Sequence, residues 1–276
     1  MQEERTSAIV LRTRVHGESD KIVTFLTQDW GKITGIAKGA KRSRRRFVNV
    51  LEPFTHIRLR FRPSRSDDLA FILGCELVQA FRRPSQDLQR FALASYIVEL
   101  TDVMVAGREA GQEIYALLLH ALASLEESSS LSSLFLSAFE LRLLVEVGYA
   151  PNLRTCHVCG TSISPRETDG PALLFSPSLS GLLCPRCDTQ GGATFRLSPA
   201  TLSLLQTWLA SEYPPGVFPA DRSPRIYQET RSLVSRLLAQ HLPRPLKSLA
   251  FLEHIDVSPA AAVPGQAACI DDVQSG

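Results

Sequence analysis

Four cysteines form two pairs whose spacing is typical of a zinc site. Cys156 and Cys159 make the first C-x-x-C pair, and Cys184 and Cys187 make the second after 24 intervening residues. Each pair can place two thiolates on one tight turn, and two such turns supply the four sulfur ligands that Zn²⁺ prefers in a tetrahedral site. Four protein ligands leave no position for water or substrate. The spacing therefore predicts one structural, rather than catalytic, zinc ion.

Two disulfides or a thioredoxin-like redox pair are the alternative interpretations of these cysteines. Residues 1–5 show no basic stretch leading into an apolar one, so we expect no secretory signal and a cytoplasmic location, where disulfides are rare. A redox pair would open a helix after a strand, whereas these pairs lie in a segment rich in Pro, Gly and Ser. His157 could replace one cysteine ligand. Cys75 and Cys269 are expected to be a core thiol and a tail thiol.

Positive charge is concentrated in the first part of the chain. Residues 1–80 carry 15 Lys/Arg against 9 Asp/Glu, whereas the rest of the 276 residues carry 15 against 19. Six of these cations fall within positions 38–46, where no acid occurs. Like charges packed this closely repel one another, so the segment is either a solvated loop or a loop that a polyanion neutralises. The candidate DNA-binding residues in it are Lys38, Lys41, Arg42, Arg44, Arg45 and Arg46.

Alternation of polar and apolar residues predicts β-strands in the same region. Between positions 57 and 62 three apolar residues alternate with three arginines, and a strand would place the two sets on opposite faces. About five such segments fit within residues 1–80, a size compatible with an OB-like barrel. The arginine stripe and the basic loop would together form a positive groove suited to single strands. The stripe consists of Arg58, Arg60 and Arg62.

Single-strand grooves also use aromatic rings, on which bases stack regardless of sequence. Phe47 directly follows the basic run and Trp30 lies in a predicted turn, so both are candidates for base stacking. Packing within or over the barrel is the alternative for each ring. We therefore expect binding to be dominated by phosphate contacts and to depend strongly on salt.

The hydrophobic period changes to that of helices after residue 83. Ser85 is the expected N-cap of a helix that runs to about residue 105. The pattern predicts an α+β multidomain protein, whose other helices span about 112–126, 131–147, 198–209 and 224–242. The expected units are an OB-like barrel at 1–80, a helical domain at 84–150 and 196–255, a four-cysteine zinc-binding insertion at 151–195 and a disordered tail at 256–276.

The sequence carries no motif that predicts an enzyme. It contains no P-loop and no H-E-x-x-H, its six histidines are scattered, and Asp67-Asp68 and Asp271-Asp272 are isolated acidic pairs. No apolar stretch approaches the roughly 20 residues that a membrane span needs. We therefore expect a non-enzymatic nucleic-acid-binding protein without a membrane partner. An RNA-binding or transcription-linked protein is the alternative, because OB-folds and zinc ribbons are common there too.

Several strings resemble, in order and spacing, the RecO family of bacterial DNA repair proteins. The resemblance spans nearly all of the chain up to about Leu252. The matching strings are residues 8–12, 17–21, 31–32 and 38–41 near the start, 143–151 leading to the first cysteine pair at 156–160, 175–177 before the second pair, and 244–249.

The resemblance implies an N-terminal OB-fold, a helical domain and a zinc-ribbon-like insertion. Proteins of this family bind single- and double-stranded DNA, anneal complementary strands, and with RecR promote loading of RecA onto single strands coated by the single-strand-binding protein. Their helical domain receives the C-terminal tail of the single-strand-binding protein, and they are not enzymes. The resemblance also implies a location in the bacterial cytoplasm, on the nucleoid when bound to DNA.

Overall fold

The structure is a computed structural model that describes residues 2–64, 69–107, 111–129, 131–132, 134–163, 173–188, 194–210 and 223–255. The predicted disordered tail at 256–276, with Cys269 and Asp271-Asp272, lies outside the described residues, as does Asp67-Asp68.

Five strands close into an N-terminal barrel in the order β1-β2-β3-β5-β4, which confirms the predicted OB-like architecture. All neighbouring strands are antiparallel except β3 and β5, which are parallel. The apolar residues of the alternating pattern fill the interior, among them Phe25, Ile57 and Phe61. The strands are β1 (Glu4–His16), β2 (Asp20–Thr27), β3 (Gly31–Ala37), β4 (Thr55–Arg62) and β5 (Ala70–Ala80).

A glycine allows β3 to close against β5. A Cβ atom on Gly35 would lie 2.3 Å from Cδ1 of Ile72 and 2.9 Å from the carbonyl oxygen of Ala70. No side chain fits at such distances, so β3 could not pair with β5 at this point if position 35 carried one.

Seven helices follow among the described residues, with the ribbon strands inserted after the fourth. The helices predicted near 112–126, 198–209 and 224–242 are present within two residues of their expected ends, whereas α7 had no predicted counterpart. They are α1 (Arg83–Gln86), α2 (Leu88–Met104), α3 (Gln112–Glu127), α4 (Phe135–Glu146), α5 (Pro199–Ala210), α6 (Pro224–His241) and α7 (Lys247–His254).

The expected N-cap at Ser85 is wrong. Ser85 lies inside the short α1, and the long helix α2 begins after it with Asp87 as its cap. The Asp87 carboxylate accepts a hydrogen bond of 2.9 Å from the backbone N–H of Arg90. The carboxylate thereby satisfies one of the N–H groups that a helix start leaves unpaired.

Replacing Asp87 with alanine should lower the free energy of unfolding by about 0.5–2 kcal/mol, because the cap of α2 is lost. Ser85→Ala, two residues away, is the matched control and should be near neutral. Urea denaturation of both variants checks this, and equal losses would contradict the cap assignment.

A second sheet of four strands lies between α4 and α5 in sequence, in the order β6-β8-β7-β9. One face packs into the helical core through Leu153, Phe175 and Leu197, and its other face adjoins the cysteines through Leu183 and Leu174. This sheet occupies the position of the predicted ribbon. Its strands are β6 (Asn152–Cys156), β7 (Leu173–Ser176), β8 (Gly181–Leu183) and β9 (Phe195–Leu197).

The barrel rests on the helices through a shared apolar core and a few polar contacts. Ile9 and Leu26 of the barrel belong to the same buried cluster as the helical residues. Asp102 of α2 forms ion pairs of 3.6 Å with both Arg12 and Lys32 of the barrel. Of the helices placed by the structure, none combines the length and apolarity needed to cross a membrane.

Candidate metal centre and nucleic-acid interface

Two tight turns present the four cysteines. The first follows β6, where the backbone N–H of Gly160 donates to the carbonyl of Cys156 at 2.9 Å, and Gly160 itself has φ +72°. The second follows β8, where the N–H of Cys187 donates to the carbonyl of Cys184 at 2.9 Å. Because β6 and β8 are adjacent and parallel, both turns leave the sheet at the same end.

The sulfur geometry suits a tetrahedral metal site. All four Sγ atoms lie within 4.8 Å of one another, and those of Cys159 and Cys184 are 3.7 Å apart. Zn–S bonds of about 2.3 Å imply sulfur–sulfur edges of about 3.8 Å in a regular tetrahedron. All four cysteines are free thiols rather than disulfides. The cluster could therefore hold a metal ion, and His157 is not part of it.

Hydrogen bonds around the cluster favour thiolates at two of the four positions. Burial raises the pKa of Cys156, but the backbone N–H groups of Cys159, Cys184 and Val158 outweigh it and lower that pKa. A hydrogen bond from the Thr161 hydroxyl is the main cause that lowers the pKa of Cys159 to about 6. The neighbouring sulfurs, that of Cys184 first, raise the pKa of Cys187 to about 12. A cation is what would allow all four to ionise together.

The basic segment is the connection between β3 and β4, and its first residues are anchored to the β1–β2 turn. Asp20 accepts a hydrogen bond from the N–H of Gly39 at 2.8 Å and forms an ion pair of 3.1 Å with Lys38. The Gly39 bond, and then Lys38, lower the pKa of Asp20 to about 2. Nothing in the local sequence pattern indicates this anchor, which joins positions 19 residues apart.

Most cations of the segment are exposed and uncompensated. Lys41, Arg42, Arg44 and Arg45 are exposed, and none forms an ion pair with a carboxylate that the structure describes. Arg46 is exposed as well, but its guanidinium donates to the carbonyl of Lys38 at 3.1 Å. The segment therefore presents a concentrated positive charge to solvent.

The arginine stripe of β4 lies on the outer face of the barrel, as the alternation predicts, but its charge is partly neutralised. Arg60 forms an ion pair of 2.9 Å with Glu3, and Arg58 stands opposite Glu76 in the sheet register. Arg62 is exposed and has no described carboxylate as a partner. Of the predicted groove wall, only Arg60 is thus held in an ion pair, whereas Arg58 and Arg62 are exposed and form none with the described carboxylates.

Neither of the two candidate stacking rings, Phe47 and Trp30, is fully exposed on the outer face of the barrel, where a base could stack. Phe47 is only 5 % exposed and belongs to the barrel core, which agrees with the packing alternative. Phe47 directly follows the exposed basic run, but its side chain points into the barrel. Trp30 is half-buried and meets Phe61 edge-on, with ring centroids 5.7 Å apart, which agrees with the packing alternative.

Family models and curated proteins match nearly the whole chain. Residues 1–81 match the model described as recombination protein O N terminal, and residues 85–250 match the recombination protein O C terminal model. Proteins named DNA repair protein RecO are similar: the one from Syntrophus aciditrophicus is 35 % identical over 91 % of this chain and 95 % of its own length, and that from Nocardioides is 36 % identical over 90 % and 98 %. The Geobacter metallireducens protein is 34 % identical over 93 % and 99 %.

Proposed function

Because the chain belongs to the RecO family of DNA repair proteins, we propose that it acts in repair as a non-enzymatic recombination mediator. In this role it binds single- and double-stranded DNA and anneals complementary strands. With RecR it promotes loading of RecA onto single strands coated by the single-strand-binding protein, whose C-terminal tail it receives.

The observation that carries the DNA-binding proposal is the uncompensated charge of the basic segment. Lys41, Arg42, Arg44 and Arg45 face solvent without a described carboxylate partner. Phosphates are the ligands that such a cluster attracts, and each phosphate contact releases condensed counterions. Lys38 and Arg46 flank the same surface, and Arg62 adds a cation on β4.

Annealing follows from charge neutralisation rather than from a chemical step. Two complementary strands repel each other through their phosphates, and this repulsion decays only over a Debye length of about 8–10 Å at moderate salt. A strand held against the basic segment presents a lower net charge to its complement. Binding of one strand therefore lowers the barrier to pairing with the second.

The metal that we propose for the cysteine cluster is one zinc ion. Four sulfur ligands at tetrahedral spacing favour zinc over the oxygen-preferring Mg²⁺ or Ca²⁺. When bound, zinc would cross-link the turn after β6 to the turn after β8. The ion's role is structural in this proposal, and the insertion at 151–195 depends on it more than the barrel at 1–80 or the helical domain does.

Fluorescence-monitored annealing of complementary oligonucleotides tests the function. We expect acceleration that fades as salt is raised and that persists on strands coated with the cognate single-strand-binding protein. No acceleration at any salt would contradict the mediator proposal. A stronger affinity for single-stranded RNA than for DNA of equal length would favour the RNA-binding alternative.

Replacing Arg44, Arg45 and Arg46 together with alanine should flatten the salt dependence of single-strand binding. The slope of log K against log salt should fall by about 0.7 for each lost phosphate contact, or about 2 in total. Arg225→Ala is the control, because Arg225 lies on α6 and is already paired with Glu229 at 2.6 Å. Fluorescence anisotropy at several salt concentrations gives both slopes, and an unchanged slope in the triple variant would remove the segment from the binding site.

A further inference from the structure

A row of five residues crosses the outer wall of the barrel from one arginine to another. The strand register pairs Arg14 with Ile22, Ile22 with Ile36, Ile36 with Phe71, and Phe71 with Arg62. Each step is one strand spacing of about 4.8 Å, so the row follows the wall for about 19 Å. These residues come from all five strands, and the closed barrel is what brings them together.

The middle of this row is an apolar surface that faces outward. Neither Ile36 nor Phe71 belongs to the two large buried cores, whereas the flanking Ala70 and Ile72 do belong to the barrel core. Phe71 is 39 % exposed and Ile36 is half-buried beside it. Ile22 on β2 is only 5 % exposed, so the exposed apolar surface is confined to Ile36 and Phe71. The Phe71 ring is therefore available at the surface and is supported on one side by an apolar neighbour.

The ends of the row are cations without counter-ions. Arg14 and Arg62 are exposed, and neither pairs with a carboxylate among the described residues. The row itself contains no acid, in contrast to the adjoining part of β4, where Glu3 and Glu76 face the arginines. Lys38 follows Ile36 by two residues, so the row continues directly into the basic segment.

We propose that this surface is a base-stacking site for single-stranded DNA, with Phe71 as the stacking ring and Arg14 and Arg62 as phosphate contacts. The proposal rests on the proposed function and assigns its single-strand contact to the β2–β3–β5 wall. Oligonucleotide-binding barrels use the face that contains strands 2 and 3. An exposed ring between cations supplies both interactions that a single strand needs, whereas paired bases in a duplex offer no free face to stack.

Phe71→Ala should weaken single-strand binding by about 5- to 150-fold, the effect of losing one stacked base. Its salt slope should remain that of the unaltered protein, because no phosphate contact is lost. Affinity for a blunt duplex should change little. Binding to an oligonucleotide with abasic sites should already be weak in the unaltered protein and should not weaken further in the variant.

Two further variants separate stacking from folding. Phe71→Trp keeps a stacking ring and should retain tight binding, with quenching of the new indole when a single strand is added. Val78→Ala removes an apolar side chain of similar exposure, 50 %, from the same strand about 23 Å away, and should bind like the unaltered protein.

The outcomes distinguish this inference from the function on which it rests. If Phe71→Ala binds single strands as tightly as the unaltered protein does, the stacking site is excluded while the function stands. Equal weakening in Phe71→Ala and Val78→Ala would also overturn it, since a general disturbance of β5 would then explain both. If the unaltered protein binds no single strand at any salt, the proposed function itself fails.

Discussion

Replacing Cys184 with serine should abolish stoichiometric zinc binding and destabilise the end of the β6–β9 sheet. Cys184 is one of the two buried cysteines of the cluster, and its backbone N–H donates to the Sγ of Cys156 at 3.4 Å. Loss of an outer-shell partner alone costs a metal site about 10- to 100-fold in affinity. Loss of a ligand should exceed that, and unfolding should become sensitive to far less chelator.

The control for this variant is His157→Ala, which removes the one histidine within the first cysteine pair. Because His157 is outside the sulfur cluster, this variant should keep one zinc per chain. Elemental analysis and thermal unfolding with and without EDTA measure both effects. Zinc retained by Cys184→Ser but lost by His157→Ala would overturn the four-cysteine assignment. Single-strand affinity should survive in the Cys184→Ser protein that remains folded, since the barrel holds the proposed DNA site.

Glu140→Ala should be the most damaging single substitution in the helical region, with a loss of about 3–5 kcal/mol in the free energy of unfolding. Glu140 on α4 is fully buried and accepts hydrogen bonds of 2.8 and 2.7 Å from Arg231 on α6. It also accepts one from the hydroxyl of Tyr96 on α2. The variant would leave the buried Tyr96 hydroxyl and the partly buried Arg231 guanidinium, whose side chain is 31 % exposed, without this carboxylate, which is costlier than losing an exposed pair.

Glu52→Ala is the matched control for Glu140→Ala, because it removes a glutamate that is also ion-paired but lies on the surface. Its side chain is 60 % exposed and its oxygen lies 2.8 Å from Nζ of Lys21. An exposed pair contributes about 0–1 kcal/mol. The free energies of unfolding of the two variants, measured by urea denaturation, should therefore differ by at least about 2 kcal/mol. Equal losses would show that the buried Glu140 pair stabilises the fold no more than an exposed pair does. In the double variant Glu140→Leu/Arg231→Met, much of the lost stability should return.

Features with a local repeat were predictable from the sequence. The period-two alternation at 57–62 identified β4, and the spacing of Cys156, Cys159, Cys184 and Cys187 identified the cluster, because each depends only on nearby residues. The exposure of Phe47 could not be predicted from its position beside the basic run, because its burial depends on the path of the loop relative to the barrel. The cap of α2 was misplaced by two residues, since both Ser85 and Asp87 are suitable cap types.

Features that join distant positions could not be predicted in this way. The Glu140–Arg231 pair joins residues 91 positions apart, and no periodicity relates them. The row from Arg14 to Arg62 exists only because the barrel closes in one register, which the alternation of single strands does not define. In the sequence, Phe71 is simply one apolar residue in an apolar strand.

The apolar core that runs from Ile9 and Leu26 of the barrel into the helices has a consequence for how the chain can be divided. The two family matches meet near residue 81. A fragment cut there would expose the apolar side chains of Ile9 and Leu26 to water and would tend to aggregate. The boundary between the matches is therefore not a boundary in folding, and we expect the barrel and helices to melt in one cooperative transition. The same continuity holds the barrel at a fixed orientation to the helices, so in the proposed role a DNA strand bound to the barrel would leave it in one defined direction.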